Sequence, residues 1–226
     1  VAPPRRAERP FGGEDTWRVA PDAVDPALLT VAERRAATVV KADLSGFTAM
    51  SERLGDPEEV TIIMNQVFEP LVDLVSRHEG YVDNYAGDMV ICFWGAPDAV
   101  EGGPECAVRA ALGMRAAVAE VNARGISHGV ELGISTGVAT GEGLWGPVGT
   151  GTNRRWTLSG LLGDYAALIE KYTERGHVGI CPETARALPP GLVLTPLDEH
   201  LVTPPGGTGS EPMVDAELPA AEPDWL

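Results

Sequence analysis

Between Ala37 and Leu188 the hydrophobic period switches repeatedly between two and three-to-four, and the order of the switches limits the folds open to the chain. Ala37–Asp43 (ATVVKAD) is a short β-branched run and reads as a strand. Over residues 58–77, Val60, Met64, Val67, Leu71 and Leu74 recur at spacings of three and four, an amphipathic helix. Gly80–Tyr85 and Met89–Trp94 are β-prone runs separated only by Ala86, Gly87 and Asp88, which predicts a hairpin turning at Gly87-Asp88. Pro104–Asn122 reads as a helix with proline in its first turn. Then follow a strand over 130–139, a glycine-rich segment over 141–151 and a strand over 155–159. A helix over 161–172, a strand over 177–181 and a short helix over 182–188 complete the series. The order βααββαβ(β)αβ predicts an α+β domain of the ferredoxin-like kind, a mostly antiparallel sheet with helices on one face.

This predicted core occupies residues 35–200 of 226. Residues 1–34, rich in Pro, Arg, Ala and Asp, read as a linker or N-terminal arm. Residues 201–226 read as an acidic, Pro/Gly-rich, disordered tail. The first residue is Val rather than Met, which agrees with a piece of a longer polypeptide. Charge excludes one class of partner: 17 Lys and Arg face 33 Asp and Glu, a net charge of −16, so nucleic acid is not expected as a ligand. Cys92, Cys106 and Cys181 form no CxxC pair and read as reduced thiols of a cytoplasmic protein. The apolar run Met89–Trp94 is too short to cross a bilayer, so no membrane insertion is expected.

Two short segments carry chemistry. In Asp43-Leu44-Ser45-Gly46-Phe47-Thr48 an acidic residue ends a strand and a Gly-containing turn opens a helix. A helix start offers unpaired N–H groups and partial positive charge to phosphate, and a neighbouring carboxylate is compatible with phosphate only across a divalent cation. The plainer alternative is that Asp43 caps the helix. Asp88, in the hairpin turn, is by itself an ordinary turn residue. If the first strand lies beside the hairpin, however, Asp43 and Asp88 converge, and two carboxylates at a phosphate-binding helix start can hold a pair of metal ions.

The block VVKADLSGFTAMSERL, followed by NYAGDMVICFWG, resembles the catalytic domain of class III nucleotidyl cyclases. ELGISTGVATGEGLWGPVG resembles that family's glycine-rich strand and dimerisation arm, RRWTLSGLLGDYAALIEK its following strand and helix, and ICPETARAL its closing strand and helix. The resemblance covers about residues 35–190, and ADLSGFTAMSE is most similar to the first cyclase domain of soluble adenylyl cyclases.

The resemblance implies that Asp43 and Asp88 bind two Mg²⁺ or Mn²⁺ ions, that the Leu44 carbonyl completes one ion's shell, and that the Ser45–Thr48 turn, through the amides of Gly46, Phe47 and Thr48, holds the β- and γ-phosphates. It further implies a dimer with the site at the interface, one half bringing metals and the other reading the base and stabilising the transition state. The second set departs from the family here. Asn84 stands at the base-reading lysine, Arg155 at its acidic partner, Asp164 at the ribose-orienting asparagine, and Leu168 at the arginine that neutralises charge on the transferred phosphoryl. A symmetric homodimer is therefore expected to be nearly inert. The implied function is the metal-bearing half of an adenylate cyclase that turns Mg-ATP into cyclic AMP and pyrophosphate beside a second cyclase-like domain, in intracellular signalling. The alternative is a degenerate pseudo-cyclase acting as a nucleotide-binding regulator. An RNA-binding domain of similar strand order is disfavoured by the acidic charge and by the lack of a strand aromatic motif.

Trp145 and Trp156 flank the glycine-rich arm and could anchor a partner or pack within the fold. Arg154 and Arg155 read as a solvated pair, the alternative being contact with nucleotide or with a partner's acidic surface; Lys41 has no assigned role, and the four histidines show no ligand spacing.

Overall fold

The computed structural model describes residues 32–150 and 153–219. Strand β1 (Glu33–Ser45) lies inside the sheet, paired along both edges. On one side lies the hairpin β2 (Tyr81–Ala86) and β3 (Met89–Trp94); on the other lies β4 (Gly133–Thr150). The sheet continues through β6 (Val178–Ile180), β8 (Glu211–Glu217) and β7 (Val193–Val202), in the order β2-β3-β1-β4-β6-β8-β7, while β5 (Asn153–Ser159) folds back on the far half of β4. All pairings named here are antiparallel except β4 with β6. The α+β, mostly antiparallel class agrees with the sequence reading.

The helices divide between the two faces rather than gathering on one. Alternation along β1 explains this, because successive side chains leave a strand on opposite sides. Val40, Ala42 and Leu44 join the core beneath α1 (Phe47–Leu54), α2 (Pro57–Arg77) and α3 (Gly103–Ala123). Ala37 and Val39 join a second core beneath α4 (Leu161–Tyr172). The short α5 (Pro182–Ala187) follows β6. Close approach of α4 depends on Gly137: a Cβ there would stand 2.3 Å from the Ala166 carbonyl oxygen and the Glu170 nitrogen.

Both boundaries move. Of the expected N-terminal arm, residues 1–31 lie outside the described residues, while Glu33 and Arg34 already belong to β1, opposite Trp145 and Leu144. The expected disordered tail from residue 201 is corrected: β7 runs to Val202, and Glu211–Glu217 form a strand whose Met213–Ala216 are buried between β6 and β7. Residues 220–226 lie outside the described residues. The glycine-rich segment is no separate loop, since its first half continues β4 against β1 and its second half pairs with β5.

Trp145 is 2% exposed and packs edge-on to Phe93 with Trp156 beside it, so this pair serves the fold's own core. Cys92 and Cys181 are buried free thiols, and Cys106 is a half-buried one. Among the described residues no helix is long and apolar enough to cross a membrane.

Candidate active site

The central strand and the hairpin bring the two predicted aspartates together. Asp43 pairs in register with Met89, the residue after Asp88, and the Leu44 N–H donates to the Asp88 carbonyl at 3.3 Å. Asp43 is an odd-numbered β1 residue, so its side chain shares the face that carries α4. Burial, the charge of Asp88 and the charge of Glu170 together push its carboxyl up to about 6. That shift is what crowded anions do when each raises the cost of ionising the next.

The turn after Asp43 has the form a phosphate seat needs. Gly46 caps α1 at φ 91° with no side-chain hydrogen bond, so Asp43 does not cap the helix. A Cβ on Gly46 would also stand 2.8 Å from the Glu131 carbonyl oxygen, so both conformation and space require glycine. The first amides of an α-helix have no intrahelical partners, and among the described residues no side-chain cap hydrogen bond closes the start of α1. Phe47 is half-buried against the core, Thr48 is exposed, and the Ser45 hydroxyl is enclosed without a hydrogen-bond partner. Crowded carboxylates, an orphaned hydroxyl and uncapped amides form a donor set suited to hard dications carrying phosphate.

The four positions that depart from the family pattern are placed as follows. Asn84 is half-buried on β2, directly after a bulge at Asp83 that shifts the register against β3. Arg155 is not a merely solvated cation: its Nη2 lies 3.6 Å from Asp83 Oδ2 across to β5. Asp164 and Leu168, one turn apart, both lie on the exposed side of α4, with Leu161 and Tyr172 on the same stripe.

Sequence reasoning missed the groups that surround these positions. Ser135, paired in register with Asp43, donates to Glu170 Oε1 at 2.6 Å, which brings a third carboxylate to the site. Asp83 is almost enclosed; burial raises its carboxyl, against the lowering effects of a Thr157 hydrogen bond and the Arg155 charge. No local pattern marks Ser135, Glu170, Asp83 or Thr157, because each matters only through a neighbour on another strand or helix.

Comparison with known proteins agrees with this architecture. The model of the adenylate and guanylate cyclase catalytic domain matches residues 29–213. Adenylate cyclase 1 of Rhizobium meliloti (strain 1021) is 29% identical over 161 residues, 71% of this chain and 22% of that protein. The chain spans about a fifth of the length of the curated relatives it matches. Among solved structures, the adenylyl cyclase CyaB from P. aeruginosa superposes with a TM-score of 0.76 at 22% identity, covering 84% of this chain and 98% of that one. The guanylyl cyclase Cya2 gives 0.73 at 28% identity, covering 84% and 96%. A family match over most of the chain, on a fold that sets Asp43 and Asp88 at one helix start, makes this a class III nucleotidyl cyclase catalytic domain.

Proposed function

We propose that the chain is the metal-bearing half of a cyclase that converts Mg-ATP to cyclic AMP and pyrophosphate, completed by a second, different cyclase-like domain. The observation that carries this reading is the juxtaposition of Asp43 and Asp88 beside the uncapped start of α1, while Asp164 and Leu168 occupy the exposed face of α4. Adenine as the base is supported by the adenylate cyclase names of both curated relatives.

Asp43, Asp88 and the Leu44 carbonyl would hold two Mg²⁺ or Mn²⁺ ions. Such ions supply positive charge to the attacking 3′-oxygen and to the phosphate being displaced. The amides of Gly46, Phe47 and Thr48 would orient the β- and γ-phosphates. Ring closure joins the ribose 3′-oxygen to the α-phosphorus as the bond to pyrophosphate breaks, and positioning with charge stabilisation supplies most of the acceleration. Leu168 cannot offer the cation that this step needs, and Asp164 adds negative charge near a polyphosphate. A partner domain would therefore bring the complementary Lys, Asp, Asn and Arg.

Cyclic nucleotide production decides the matter, measured with Mg²⁺ or Mn²⁺ for the chain alone and mixed with a cyclase domain carrying that complementary set. Activity confined to the mixture and lost in Asp43→Ala supports the enzyme half. Nucleotide binding without turnover in any mixture would favour a regulatory pseudo-cyclase, a reading that the third carboxylate at Glu170 and the tethering of Arg155 to Asp83 make physically coherent.

A further inference from the structure

We propose that His177, Asp215 and Glu217 form a binding site for one dication of the zinc type, separate from the Asp43/Asp88 pair and independent of the cyclase reading. One ligand atom from each residue lies within 4.8 Å of the other two. The strands place them. β6 and β8 pair Gly179 with Asp215, and continuing that antiparallel register two residues puts His177 opposite Glu217. Asp215 and Glu217 are two apart on β8 and therefore share a face with each other and with His177.

A second observation points to a ligand. Asp215 is only 9% exposed, and although its Oδ2 meets His177 Nδ1 at 2.9 Å, its Oδ1 is enclosed with no hydrogen-bond partner. Burying an unpaired carboxylate oxygen is costly unless something positive satisfies it. Among the described residues no Lys or Arg forms an ion pair with Asp215 or Glu217; Asp215 meets the imidazole directly, and a Glu217 carboxylate oxygen lies within 4.8 Å of both. One nitrogen and two carboxylate donors suit Zn²⁺ or Co²⁺ better than Mg²⁺, which favours oxygen ligands. His177 adjoins Thr136, the neighbour of Ser135, so it stands two strands from Asp43, about 10 Å at ordinary strand spacing. An ion there would clip the terminal hairpin β7–β8 to β6, extending a backbone pairing of two residue pairs.

The test titrates the purified chain with Zn²⁺ by calorimetry and with Co²⁺ by visible absorption, in excess Mg²⁺ so that Asp43 and Asp88 are occupied. His177→Gln and Glu217→Gln, both at half-buried positions, serve as variants whose folding is checked by circular dichroism, and Asp43→Asn/Asp88→Asn is the control. One equivalent bound by the wild type and by the control, weakened by roughly tenfold or more in each of the other two variants, supports the site. The melting temperature should then rise with Zn²⁺ in the wild type and the control only. Absence of binding in the control, or binding that His177→Gln and Glu217→Gln leave unchanged, overturns it.

Discussion

Ser135 Oγ donates a 2.6 Å hydrogen bond to Glu170 on α4, and Ser135 is the residue of β4 paired with Asp43 of β1. A helix residue is thereby held over the strand that carries the proposed metal ligand. Asp43 consequently faces two other carboxylates, Asp88 from the hairpin and Glu170 from the helix, and its carboxyl is pushed up to about 6.

The sign of the resulting pH dependence is set by which state holds the proton. Between 3.8 and about 6 the folded, metal-free chain keeps a proton on Asp43 that the unfolded chain releases. This group therefore favours the folded state at low pH and loses that contribution as pH rises through about 6. Thermal melts in chelator should show a decline across this window that Asp43→Asn lacks and that Mn²⁺ removes. Mn²⁺ affinity itself should weaken as pH falls through about 6, because proton and metal compete, and Glu170→Gln should move that midpoint downward.

Gly46→Ala is expected to destabilise the chain by about 1–3 kcal/mol, since alanine is strained at φ 91° and its Cβ would press on the Glu131 carbonyl. Urea denaturation measures the loss. Triphosphate affinity should fall as well, because the amides after residue 46 would turn away from the Asp43/Asp88 pair.

Arg155→Ala removes the cation facing Asp83, whose side chain is nearly enclosed and whose Oδ1 already lacks a partner. Stability at neutral pH should drop by about 1–3 kcal/mol, and the drop should shrink in an Asp83→Asn background. Equal losses in both backgrounds would mean that the ion pair contributes nothing.

Asp164→Asn with Leu168→Arg would supply, on the exposed side of α4, two of the groups that the proposed function assigns to a partner domain. Because neither side chain is buried, stability should change by no more than about 0.5 kcal/mol. Turnover by the homodimer should rise on the order of a hundredfold, the effect of aiming a cation at developing charge. A well-folded double variant with no gain in cyclic nucleotide would count against the placement of these two positions.

Local chemistry alone determined much of this protein. Apolar spacing identified α2 and α3, the Leu161–Tyr172 bounds of α4 agree with the sequence reading, and the Gly87-Asp88 turn was legible because tight turns have strict residue requirements. The acidic pair Asp43 and Asp88 was visible as two carboxylates at chain features that a sheet could join. The tertiary structure decided what depends on neighbours distant in sequence. Glu211–Glu217 looks acidic and solvated as a string, yet it pairs between β6 and β7 and sends Val214 and Ala216 into one core and Met213 into the other. Glu170 reaches Asp43 only because Gly137 lets α4 lie against β4, and His177 comes beside Glu217 and meets Asp215, 38 residues away in sequence, only because β6 pairs with β8. Period and turn propensity act over a few residues, whereas burial and charge coupling act through space, and only the folded sheet sets those distances.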